Sequence, residues 1–392
     1  MKRLIILLVL LPIILATHSV FSADAQKGLE AYEQGDYATS LREWRPLAEK
    51  GHAFAQHFLG LMYFKGQAVS QDNEMAIGWI SRSANQGFAP SQVYLGLLYK
   101  EGRVVSQNFK TAAKWYFLAA KQRNADAQYS LGEFYSLGEF QQKGQGVAQN
   151  YKTAIKWWKL AAEQGHIGAI YNLGVMFANG QGVAQNYLTA FKWWKLAAEQ
   201  GDVKAQYNLG VMYAKARGVP QDYASAIEWW KLAAEQGESR AQYNLGVAYD
   251  KGRSVPINYQ SAIEWWKLAA EQGNAKAQYN LGTKYEIGEG IKQNYKLAVR
   301  LYTLAAKQGD AHSQNNLGLM FKNGQGVQQD YEVAAKWLTL SAEQGHSKGQ
   351  FNLGYMYAEG LGVSQNYLVA IKWITLGVVK RLTSDLWGES TS

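Results

Sequence analysis

Apolar residues along most of this chain recur at helical spacing in two alternating phases, separated by short polar turns that carry glycine. In Ala205 to Gly237, Ala205, Leu209, Met212 and Tyr213 stand four, three and one residues apart, which is one face of a helix. This predicts a first helix, A. Gly218 opens a turn in which Val219 can plug the hairpin, and Asp222 stands just before the next apolar period, where a short acceptor side chain caps a helix start. A second helix, B, is predicted from Ala226, Trp229, Trp230, Ala233 and Ala234, with large rings and small residues on adjacent faces as interlocking helices require. Gly237 ends it, as glycine does at a left-handed terminus.

The same unit returns along the chain. Leu-Gly pairs place glycine at 60, 96, 132, 174, 210, 246, 282, 318 and 354, a step of 36 residues broken once by a step of 42. The slot of Asp222 holds Asp72, Asn108, Asn150, Asn186, Asn258, Asn294, Asp330 and Asn366, all residues that accept a hydrogen bond at a helix start. One tryptophan column runs through Trp79, Trp115, Trp157, Trp193, Trp229, Trp265, Trp337 and Trp373, with Leu301 in one place; a second holds Trp158, Trp194, Trp230 and Trp266. Each buried ring removes about 150–250 Å² from water, so these columns are read as core. A glycine inside helix A costs about 1 kcal/mol relative to alanine. It is expected to admit a neighbouring backbone. A unit of this length cannot bury its own apolar face, so the repeats must stack as a solenoid.

The longer step has a visible origin. Ser130 to Tyr135 (SLGEFY) is followed directly by Ser136 to Gln141 (SLGEFQ), a six-residue duplication. Six residues are about 1.7 helical turns, so the copy cannot keep the same face inward. It must extend helix A or enlarge the loop before Gly144.

The pattern A-x-x-x-L-G-x-x-Y-x-x-G-x-G-V-x-x-D/N-Y-x-x-A-x-x-W-W/Y-x-x-A-A-x-x-G, followed closely in Ala169 to Gly201 and Ala277 to Gly309, resembles the Sel-one-like repeat, a longer-looped relative of the tetratricopeptide repeat. The resemblance covers about Ala53 to Gly377. It implies an all-α, right-handed α-solenoid of stacked antiparallel helix hairpins. It also implies a non-enzymatic scaffold that holds other proteins, in bacteria often exported and involved with envelope assembly or host cells. The organisation expected is a signal peptide at 1–22, a shortened capping hairpin at 23–51, nine repeats at 52–377, and a C-terminal cap and frayed tail at 378–392. Lys380-Arg381 and the Thr/Ser tail would give the last helix a polar finish, with fraying from Ser384.

Lys2-Arg3, the apolar run Leu4 to Ala16 and Val20-Phe21-Ser22 read as a secretory signal cleaved before Ala23. The run falls short of the roughly 20 apolar residues that span a bilayer. The expected location is therefore the periplasm or the exterior, with no membrane span after cleavage. An uncleaved anchor is the alternative. The chain has no cysteine, which excludes disulfides, thiolate metal sites and a cysteine nucleophile. Its net charge of +9 is spread once or twice per repeat beside glutamates, so no nucleic-acid partner is expected.

The sequence offers no catalytic constellation. His18 leaves with the leader, His52, His166 and His346 share one turn slot in different repeats, and His57 and His312 are single residues. No H-E-x-x-H is present. The G-x-G loops, such as Gly180-Gln181-Gly182 and Gly324-Gln325-Gly326, follow helices and lack the rest of a phosphate loop. No serine has lysine three residues on, as an S-x-x-K site requires. The expectation is no enzyme, no cofactor and no metal.

A binding surface is expected instead on the outward face of helix A. Its members are Lys204, Tyr207, Val211 and Lys215; Arg240, Tyr243, Val247 and Lys251; Lys276, Tyr279 and Thr283; and, further on, Asn315, Lys322, Lys348, Phe351 and Tyr355. Aromatic anchors beside cations suit a protein or peptide partner carrying acidic groups in a concave groove. A sealing role for the tyrosines between adjacent helices fits the sequence equally well. A glycan or cell-wall component is the alternative partner, an enzyme of unrecognised type the third reading, and the oligomeric state is left open.

Overall fold

The computed structural model describes residues 23–137 and 148–387, with side chains as far as Val379. The expected leader, the end of the duplicated segment and Lys380-Arg381 lie outside those limits. Among the described residues there are twenty helices and no strand. They pair as ten antiparallel hairpins, an all-α solenoid. The first hairpin is Ala23–Glu33 with Tyr37–Glu49, joined by the short Gly35-Asp36 turn. Most later helices are 13 residues long, as in Ser239–Lys251 (A) and Tyr259–Glu271 (B). The chain divides into two compact units, Met1–Trp193 and Trp194–Ser392.

Local signals set the helix ends. Asn258 Oδ1 accepts from the Ser261 N–H at 3.0 Å, and each of the nine Asp or Asn residues at that slot caps its helix B in this way. A second cap slot precedes helix A. Asp202, Asn274 and Asp310 fill it in the second unit. His166 and His346 fill it too, each accepting through Nδ1 from a backbone N–H, whereas His52 makes no such bond. Helix A of the irregular repeat is described over Ala125–Leu137, and the rest of the duplicated copy lies outside the described residues.

The two tryptophan columns do different jobs. The second lies inside its own hairpin: Trp158, Trp230 and Trp266 are buried, with Tyr116, Tyr302, Ile80 and Leu338 taking the slot elsewhere. A Cβ at Gly132, Gly210 or Gly246 would overlap the indole of Trp158, Trp230 or Trp266 respectively. The helix A glycine therefore admits chiefly a side chain of its own hairpin, not the neighbouring backbone expected above; at Gly60 and Gly318 a backbone carbonyl is also close, behind the side chains of Ile80 and Leu338. The first column is half-buried and packs on the preceding hairpin. Trp265 joins the cluster of Trp230 and Ala234, Trp337 that of Tyr302, and Trp373 that of Leu338. One column closes a hairpin and the other joins it to its predecessor.

A buried glutamine ladder reinforces both contacts. Gln242 Nε2 donates to the Ala234 carbonyl of the preceding helix B at 3.1 Å, and its Oε1 accepts from Gln272 Nε2 of its own helix B at 2.8 Å. Gln278 and Gln314 repeat the arrangement with Gln308 and Gln344. Gln56, Gln92 and Gln128 do so in the first unit. Each buried amide is thereby satisfied, as low-dielectric surroundings require.

The last helix B departs from the others. It runs Tyr367–Trp387, 21 residues.

Candidate functional site

In the second unit the expected surface residues sort by exposure. Lys204, Lys215, Arg240, Lys251 and Lys276 are exposed, as are Phe351 and Tyr355. Tyr207, Val211, Tyr243, Val247, Tyr279 and Thr283 are half-buried. Tyr207 and Val211 pack on the cluster of Trp230 and Leu245, Tyr243 and Val247 on that of Trp266, and Tyr279 on that of Tyr302. The tyrosines thus seal adjacent hairpins with one side of the ring while the other borders the outward face. Burial pushes the phenols of Tyr207, Tyr243 and Tyr279 upward, so they stay neutral hydrogen-bonding groups at ordinary pH. Asn315 is not on the surface: it is 2 % exposed and accepts from Asn352 Nδ2 at 2.8 Å.

Basic and aromatic residues meet between repeats as well as within one. The Arg240 guanidinium lies 4.2 Å from the ring centroid of Tyr207 in the preceding repeat. Glu238 fixes it there through two bonds, Nε to Oε1 at 2.8 Å and Nη2 to Oε2 at 3.2 Å. Hydrogen bonding to Arg240 holds the Glu238 carboxyl below its ordinary range. Such a stacked, oriented cation is restrained to one pose. Lys322 lies similarly over Tyr355, at 4.3 Å.

His312 also belongs to this row, and the sequence reading missed it. It occupies the slot of Lys204, Arg240 and Lys276, one 36-residue step after Lys276 and one before Lys348. Its ring lies 5.5 Å from Tyr279 and 4.5 Å from His346. The repeat spacing was the available signal, and reading histidines only as ligands or bases hid it.

The remaining polar chemistry is internal. His57 Nδ1 meets Ser91 Oγ at 2.8 Å, Ser91 donates to Ser83 at 2.7 Å, and Ser83 donates to the Ala53 carbonyl at 2.7 Å. The relay ends on backbone and is wholly buried; desolvation pushes the His57 imidazole down to about 3, so it stays neutral. It ties hairpins together and presents no open nucleophile. Lys284 replaces the methionine found at Met212, Met320 and Met356. It is buried against Asp250 Oδ1 at 2.5 Å and Glu289, with the Tyr259 ring centroid 4.3 Å away. Burial opposes its charge, and the two carboxylates outweigh that and hold the ammonium above its ordinary value. The G-x-G loops are turns: Gly180 and Gly182 have φ of +70° and +72°. No group of three or more His, Asp or Glu among the described residues is placed to hold a metal. No described helix is long and apolar enough to cross a membrane.

Comparison with known proteins agrees with this architecture. The Sel1 repeat model matches nine consecutive segments: 53–88, 89–124, 125–166, 167–202, 203–238, 239–274, 275–310, 311–346 and 347–377. Among solved structures, a protective antigen of uropathogenic Escherichia coli strains displaying an SLR fold is 32% identical, with 93% of this chain and 87% of that chain covered and a TM-score of 0.69. A Sel1 repeat protein from Oxalobacter formigenes is also 32% identical, with 81% and 90% covered and a TM-score of 0.64. No curated protein matches the chain.

Proposed function

The chain belongs to the Sel1 repeat family, whose members generally serve as protein-interaction scaffolds, and from that premise we propose that it is an exported, non-enzymatic scaffold binding an acidic protein or peptide along its helix A faces. The observation that carries the ligand chemistry is Arg240 held over Tyr207 by Glu238, in a row that also presents Lys204, Lys276 and His312. A restrained cation stacked on a ring, in a row of further cations, supplies steering and anchorage at little entropic cost. Export rests on the charged start, the apolar run and the small-residue cleavage pattern of the first 22 residues.

Capture from envelope extracts, with the partner identified by mass spectrometry, tests the reading. Lys204→Glu, Arg240→Glu and Lys276→Glu together should abolish capture at low salt while helix content stays unchanged, and raising salt should weaken the unaltered protein. Full capture by the charge-reversed protein would sink the proposed surface. Retention by protein-free wall sacculi would favour the glycan reading. N-terminal sequencing of the exported product should begin at Ala23, and an intact leader would contradict cleavage.

A further inference from the structure

The last helix B offers an apolar face that every earlier repeat in its unit keeps covered. The slot of Ile371 is filled by Ile227, Ile263, Val299 and Ala335, each buried. Ile371 itself is 62% exposed. The slot of Val378 holds Ala234, Ala270, Ala306 and Ala342, again buried, and Val378 is 42% exposed. In those repeats the following helix A covers both positions; here no described helix covers them.

A terminal repeat ordinarily carries a polar outer face. This one becomes more apolar. Alanines at 335 and 342 give way to Ile371 and Val378, and the exposed slot of Gln260, Lys296 and Glu332 becomes Leu368, which is 82% exposed. Leu368, Ile371, Thr375 and Val378 follow one another at steps of three, four and three, the a/d spacing of a two-helix seam. The helix carrying them is eight residues longer than its counterpart Tyr331–Glu343, giving about 30 Å of continuous helix.

We propose that this face is a self-association surface on which two copies of the chain pair through their C-terminal helices in a closed, two-fold arrangement. The occupant follows from what the chain offers. At the other end, the first described helix exposes Asp24, Lys27, Glu30 and Glu33, a charged face unmatched to an apolar seam, so head-to-tail growth is disfavoured. The complementary surface on this molecule is the same helix of a second copy, and an isologous contact closes at two. Each scaffold would then present two helix A rows to its partners. The contact is small beside a standard interface of about 1,600 Å², so the dimer should dissociate on dilution.

Analytical ultracentrifugation of the full exported chain should show a concentration-dependent species of twice the monomer mass. Ile371→Glu with Val378→Glu should lose the dimer without losing helix content, whereas Leu340→Glu, at an exposed leucine outside the seam, should keep it. Because the chain has no cysteine, a single thiol reports the contact directly. Val378→Cys should give an intermolecular disulfide under mild oxidation, and Leu340→Cys should not. A monomer at every concentration, a dimer persisting in the double-Glu variant, or equal crosslinking at 340 and 378 would overturn the proposal.

Discussion

In the hairpin Ser239–Lys251 with Tyr259–Glu271, Ile263 is fully buried, Trp266 fills the space above Gly246, and both oxygen and nitrogen of the Gln242 amide are bonded. In the last hairpin, Ser347–Glu359 with Tyr367–Trp387, the same slots hold Ile371, largely exposed, Ile374 above Gly354, and Gln350, whose Oε1 is buried without a partner among the described residues. The sequence slots are nearly alike and the outcomes differ, because part of each inner hairpin's burial comes from the hairpin that follows. Stability in such an array is a sum of unit and nearest-neighbour contributions, so it should be graded toward this end.

The largest expected effect is at the ring slot. Trp266→Ala should cost about 3–5 kcal/mol by opening a cavity between two covered helices. Ile374→Ala should cost about 1–2 kcal/mol, because its side chain is smaller and only half-buried. Hydrogen exchange read repeat by repeat would show Trp266→Ala loosening its own hairpin and its two neighbours, with hairpins further off unchanged. Equal costs at the two sites, or simultaneous unfolding of the whole chain, would break the nearest-neighbour account.

Next in size is the glutamine ladder. Gln242→Ala strands the Ala234 carbonyl and removes the acceptor of Gln272, for about 1–3 kcal/mol. Gln350→Ala removes one bond, to Ala342 at 3.2 Å, together with an oxygen that had no partner, and should cost less than half as much. Thermal melts of the two variants compare them directly. A larger loss at Gln350 would mean that something outside the described residues satisfies its oxygen.

The fold was legible because its signals are local and repeated: the caps at Asn258 and its equivalents, the glycine terminators and the 36-residue step all act within one unit. The role of Gln242 was not legible, since an exposed and a buried glutamine look the same in a sequence, and only packing brings residues 30 and 8 positions apart onto one amide. The helix A glycines were found for the wrong partner, because periodicity shows that a gap exists and not which group fills it. The candidate surface was legible as a row of slots at Lys204, Arg240 and Lys276. That Arg240 would stack on the previous repeat's Tyr207, and that Asn315 would turn inward, depends on contacts between repeats that one unit's pattern does not contain.

The smallest expected effect sharpens the comparison by showing no difference between the two hairpins. Asn258 and Asn366 both accept from backbone N–H groups of their own first turn, Asn258 from Ser261 at 3.0 Å and Asn366 from Leu368 and Val369 at 3.1 Å. The bond is made before any neighbouring hairpin is involved, so Asn258→Ala and Asn366→Ala should each cost about 1 kcal/mol. Exchange of the capped amides, at Ser261 in one case and Val369 in the other, measures both. Packing substitutions should then rank the inner hairpin above the outer one while cap substitutions leave them level. If Asn366→Ala proved nearly silent, the start of the last helix would already be open, and the difference between the two hairpins would lie in local helix formation instead of in the covering supplied by a successor.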